Sequence, residues 1–243
     1  MFRARATPHF SEPTVLPAPL LVTLIRIGLL WAFANWGYYI ILPLVHIDQS
    51  YNTSPIEIAV YFLVWFVLSV HVCWGVLSSW LPSKKDAWAY GLQALGMATL
   101  IWLSLYGFSQ LPIPRGEPFV PYTDILFATP WYFLPKAIEI LVQQTLIVSL
   151  VLALMRTYRN LTTVMLNYAL YFGGAHVVLY LTNNAPTPYA ALMTIGALLS
   201  SCIAPVLILR VRGGALYSYA LHILLYVLIA SLLHVYPPPD YLG

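Results

Sequence analysis

About seven apolar runs recur along this chain, each long enough to cross the hydrocarbon core of a bilayer. A helix rises 1.5 Å per residue, so about 20 residues span a core of roughly 30 Å. The runs cover about 20–45, 56–81, 87–111, 125–155, 161–182, 189–209 and 215–236. Pro130 and Pro135 interrupt the fourth run, which continues from Lys136 to Met155. These runs are too long for strands, and none alternates polar with apolar residues as a barrel strand would. The expected fold class is an all-α polytopic bundle of about seven transmembrane helices. Composition agrees. Only 8% of residues are charged, against about a quarter in soluble domains.

The cations sort by loop. With seven passes, the N-terminal tail and the second, fourth and sixth loops share one side of the membrane. That side carries Arg3, Arg5, Lys84, Lys85, Arg156, Arg159, Arg210 and Arg212, and the other carries only Arg115. Arg26 and Lys136 lie within or beside helices. Such asymmetry marks the cytoplasmic side, so the N-terminus is expected in the cytoplasm and the C-terminus outside. Insertion topology accounts for the net charge of +3, and nucleic-acid binding finds no support. Residues 1–19 contain Arg3 and Arg5 without an apolar stretch after them, which suits a loose cytoplasmic tail rather than a cleaved signal. Three helices and an outer loop over 20–124 and a four-helix core over 125–243 complete the expected organisation. The outer segment 111–124 has four prolines and reads as an ordered cap or a contact loop.

Cys73 and Cys202 fall inside apolar runs and read as small buried hydrophobes. Trp31, Trp36, Tyr38, Tyr39, Trp80 and Trp88 lie near helix ends, where aromatic rings anchor at headgroups.

Polar side chains inside lipid-embedded helices are costly, and so they are informative. Glu139, Gln143 and Gln144 cluster on the fourth helix, with Glu139 and Gln143 one turn apart on one face. Interhelical hydrogen bonding is the plain reading of such a cluster. Phe172-Gly-Gly-Ala-His176 on the fifth helix pairs two glycines, which permit close helix approach, with a histidine. His222 sits on the last helix after Arg212-Gly-Gly.

The order and spacing of these residues resemble the CPBP family, the CAAX-protease and bacteriocin-processing (Abi-type) intramembrane metalloproteases. Members show Glu-Glu-x-x-x-Arg, then Phe-x-x-x-His, then His-x-x-x-Asn. Gln143-Gln144 stands where the paired glutamates would be, Phe172 to His176 matches the second motif, and His222 matches the third. The likeness covers roughly residues 130 to 235 and implies a CPBP-like C-terminal half. The departures are chemical. A glutamine amide cannot serve as the base that activates water, Val148 replaces the arginine, and Tyr226 replaces the asparagine.

The leading expectation is therefore a non-catalytic scaffold or accessory subunit, in contact with membrane lipids and binding other transmembrane proteins. The alternative is an active metalloprotease in which Glu139, about 6 Å along the helix from Gln143, acts with His176 and His222 as metal ligands. A third reading is tetrapyrrole ligation, haem or chlorophyll, through His71, His176 or His222, in a photosynthetic or respiratory complex. No cofactor is specified by any motif. A transporter is disfavoured because no relay of ionisable groups crosses the bundle.

Overall fold

A computed structural model describes residues 20–80, 87–112, 124–182 and 187–235. The expected helices form, with ends close to those read from hydropathy. They are α1 (Leu20–Leu44), α2 (Pro55–Leu77), α3 (Ala87–Phe108), α4 (Phe133–Tyr158), α5 (Leu161–Tyr168), α6 (Gly174–Thr182), α7 (Thr187–Arg210) and α8 (Gly214–Val235). A π-helical segment, Ala169–Gly173, joins α5 to α6, so the fifth apolar run is one rod with an internal irregularity. No strand occurs among the described residues. Five helical segments are long and apolar enough to cross a membrane: α1, α2 with its C-terminal turn, α3, α4 with its leading turn, and α8. Their outward faces carry large apolar side chains such as Leu29, Phe33, Val64, Val67 and Trp102. In water these would form apolar patches far beyond what a soluble monomer exposes. The chain is a multi-pass membrane protein.

The fourth run departs from expectation at its start. Pro130 opens a 3₁₀ turn over Pro130–Tyr132, and Pro135 lies inside the first turn of α4 without breaking it. First-turn amides have no intrahelical acceptor, so a proline there removes nothing.

That helix is the pole of the bundle. In its span 72% of residues are buried, against 6% for α3, and it touches α1, α2, α5, α7 and α8. The closest pairing is with α2. Ser69 and Cys73 of α2 and Thr145, Ser149 and Ala153 of α4 are buried. Small side chains let two backbones approach where lipid offers no hydrophobic drive. Thr145 and Ser149 hydroxyls donate to the carbonyls of Leu141 (2.9 Å) and Thr145 (2.8 Å), which keeps them satisfied in a dry seam. Cys73 belongs to this seam. Cys202, expected to be buried, is exposed on α7.

At one end the helices are closed by basic residues. The Arg156 guanidinium donates to the carbonyls of Gly75 (3.4 Å) and Val76 (3.2 Å) and to the Ser79 hydroxyl. It thus satisfies the orphan carbonyls at the negative pole of α2. Arg159 ends α4 in the left-handed region (φ 54°), and Asn160 starts α5 by accepting from the Thr163 amide (3.1 Å). The α7–α8 turn lies against α3, with the Gln93 amide donating to the Arg212 carbonyl (3.4 Å). Arg156, Arg159, Arg210 and Arg212 therefore flank one end, where Leu20 and Leu24 of α1, Val76 and Leu209 all pack against one buried cluster.

At the other end the α1–α2 loop is docked onto the segment before α4. Asp124 accepts from the Ser50 hydroxyl (2.8 Å), the Tyr51 amide (2.5 Å) and the Asn52 side-chain amide (2.7 Å). Asn52 in turn accepts from the Thr129 amide (2.9 Å). Tyr38, expected at the headgroups, is buried, stacks on Phe62 and donates to the Gln49 carbonyl.

The glycines of the α7–α8 turn have a local reason. Gly213 has φ +71°, and a Cβ on Gly214 would lie 1.7 Å from the Leu207 carbonyl oxygen. Gly28 of α1 has nothing within 4 Å. Gly214→Ala should therefore destabilise the bundle by about 1–3 kcal/mol through overpacking. Gly28→Ala should be neutral or stabilising by up to about 1 kcal/mol. Thermal unfolding in detergent separates the two, and equal effects would contradict the turn geometry.

Candidate functional site

Glu139 lies six residues into α4, on the face turned toward the α1–α2 loop and α8. Its side chain is 13% exposed and that of its neighbour Lys136 is 10% exposed. The Lys136 ammonium is 2.5 Å from Glu139 Oε2, an i,i+3 pair on one helical face. The same oxygen accepts from the Tyr51 hydroxyl (2.8 Å), and Oε1 accepts from the Gln143 amide (2.8 Å). Both carboxylate oxygens are therefore engaged. A buried charge pair is tolerated only when such additional bonds satisfy it.

Three tyrosine rings wall the ammonium. Lys136 Nζ is 4.7 Å from the centroid of Tyr51, 4.7 Å from Tyr226 and 5.8 Å from Tyr132. At these distances the ring faces attract the cation, and more strongly where water is excluded. Tyr51 sits in the loop outside the helices. Burial, and then the Glu139 charge, push its hydroxyl well above the ordinary tyrosine range, so it stays protonated and donating.

Of the two motif histidines, His222 lies on α8, which packs on α4, and His176 on α6, which packs on α7. His222 stacks on Tyr226 with ring centroids 5.7 Å apart, and it lies within electrostatic reach of Glu139, Lys136 and His176. His176 follows the π-helical segment, a feature frequent at functional sites. Its Nδ1–H donates to the Phe172 carbonyl (2.8 Å). A carbonyl only accepts, so the neutral ring carries its proton on Nδ1 and keeps a lone pair on Nε2. Tyr168, Phe172 and His176 form a ladder at i, i+4, i+8, with centroids 5.2 and 4.7 Å apart. The paired glycines differ: a Cβ on Gly173 would meet Leu198 at 3.0 Å, whereas Gly174 faces open space. Only the first serves close approach to α7.

Glu139 and Gln143 are thus joined on α4, and His222 of α8 feels both the Glu139 charge and His176. Gln144 points elsewhere, buried against α8, where it accepts a long bond from the Ser218 hydroxyl (3.4 Å) and leaves its Nε2 without a partner. His71 faces outward from α2, away from the other two histidines. The family resemblance implies a metal, and the residues do not fit one. No three His, Cys, Asp or Glu side chains converge among the described residues, and two neutral imidazoles fall short of the three protein ligands a catalytic zinc takes.

Sequence reasoning missed Tyr51 and Lys136 as partners of Glu139 and the Tyr132 ring beside Lys136. A signal existed for Lys136: a cation three residues before an anion within an apolar helix. Tyr51 carried no signal, because its proximity depends on how the α1–α2 loop docks, whereas Tyr132 lies one turn before Lys136.

Removing one charge of the pair should cost far more than removing both. Lys136→Met is expected to destabilise by about 3–5 kcal/mol by stranding Glu139, and Lys136→Met with Glu139→Leu to return most of that loss. Equal unfolding temperatures for the single and double variants would show that the pair is not coupled.

No protein-family model, curated protein or solved structure matches the chain.

Proposed function

We propose that this chain is a non-catalytic, CPBP-like membrane protein that braces or assembles other transmembrane proteins. The observation that carries this reading is the engagement of Glu139. To act as a base toward water, it would have to shed the bond from Lys136, Tyr51 or Gln143. A group held in this way serves to position helices more readily than to exchange protons. The glutamines at the first motif remove the other candidate bases, and the outward apolar faces of α1, α2 and α3 leave broad surface for neighbouring helices. The proposed orientation places the basic end in the cytoplasm, following the loop charges.

Reporter fusions within residues 81–86 and after Arg212 should both read as cytoplasmic, and fusions within residues 113–123 as external. Basic loops on opposite sides would refute the seven-pass orientation.

Function is tested by pairing a cleavage assay with co-purification. Protein extracted in mild detergent is expected to bring down a membrane partner in fixed stoichiometry. It should leave candidate membrane substrates intact, with or without a chelator. Replacing His176 or His222 by glutamine should preserve partner capture apart from stability losses of about 1 kcal/mol per lost interhelical bond. Chelator-sensitive cleavage that disappears in Glu139→Gln would establish the protease reading instead, since loss of a general base costs about 10²–10⁴-fold.

A further inference from the structure

Between α3 and α8 runs an apolar groove of about 360 Å³, floored by Ala137 of α4. Ala94, Ala98 and Leu105 line it from α3, and Leu216 and Ile223 from α8. The Tyr219 hydroxyl, which would otherwise interrupt the lining, is spent on the Ala137 carbonyl (3.1 Å). From Ala94 to Leu105 the groove follows α3 for about 16 Å at 1.5 Å per residue. That length is about half of a 30 Å hydrocarbon core, the depth of one leaflet.

Its mouth lies at the basic end of the bundle. Ala94 and Leu216 adjoin the α7–α8 turn, where Gln93 donates to the Arg212 carbonyl and Arg210 and Arg212 are exposed. Tyr90 stands one turn before Ala94 on the same face of α3. Its hydroxyl is buried and has no hydrogen-bond partner. A buried donor left unpaired is costly and calls for an acceptor. An extended acyl chain, one methylene wide, suits the alanine-lined wall from Ala94 to Leu105, and a lipid phosphate would supply the missing acceptor.

We propose that the α3–α8 groove holds an acyl chain of an anionic glycerophospholipid, whose phosphate lies at the Arg210–Arg212 turn within reach of Tyr90. Two arginines supply the charge preference, the Tyr90 hydroxyl a directed donor, and the alanine-lined wall the room for the chain. This site is independent of the scaffold reading and would exist whether or not the protein binds a partner.

The test uses the full chain in phosphatidylethanolamine liposomes containing phosphatidylglycerol with a diazirine on its acyl chain. Photolabelling is expected to concentrate on residues 94–105 and 216–223. Unlabelled phosphatidylglycerol should compete, and phosphatidylcholine should not. Arg210→Gln and Arg212→Gln should each reduce the preference for the anionic lipid about fivefold. Ala98→Phe should fill the groove and abolish the focused labelling. If that variant fails to fold, the competition on the unaltered chain decides. Labelling spread evenly over the outward faces of α1, α2 and α3 would overturn the proposal. So would equal competition by the two lipids, or capture of a second copy or a partner helix by a cysteine placed at Ala98→Cys.

Discussion

Four polar side chains on one helix, Lys136, Glu139, Gln143 and Gln144, dictate the architecture. Exposed to hydrocarbon, each would cost several kilocalories per mole or more. Helix α4 therefore takes the centre, where α1, α2, α5, α7 and α8 cover it. The small residues along α2 and α4 make that position possible, since they let the helix best shielded from lipid come nearest to its neighbour. Helix α3, with no charged residue and no polar cluster to hide, is left at the periphery on α8.

The two ends of the bundle solve different electrostatic problems. At the basic end, arginine donors meet helix C-termini, where carbonyls lack partners and the macrodipole favours cations. At the opposite end, Asp124 gathers the Ser50, Tyr51 and Asn52 donors of a loop that would otherwise be free. This docking carries Tyr51 inward to Glu139. The polar core is thereby tied to the loop, and a change in either is felt by the other.

The same tie bears on chemistry. A carboxylate that accepts from lysine, tyrosine and glutamine is well placed to hold helices and poorly placed to exchange protons with substrate. The nearby histidines keep the arrangement reminiscent of a reactive site, with an Nε2 lone pair on His176 and an irregular backbone just before it. The proposal of an assembling role follows from the engagement of both Glu139 oxygens.

Much of the fold was legible in hydropathy, because a span must be apolar along its whole length and a loop need not be. Helix ends follow from the hydropathy runs, and the placing of Glu139 and Gln143 on one face follows from local periodicity. Local rules also erred where burial depends on neighbours. Tyr38 was expected at the headgroups and is core, Cys202 was expected in the core and is exposed, and Pro135 was expected to interrupt a helix whose first turn accommodates it. The sequence by itself determined an all-α, multi-pass chain, since bilayer thickness and the cost of exposing backbone to lipid act on residues in order. Only the tertiary structure decided that α4 is central, that Lys136 is caged by Tyr51, Tyr132 and Tyr226, and that α3 leaves a groove. Those outcomes depend on contacts between helices far apart in the chain, which the period of a single helix does not encode.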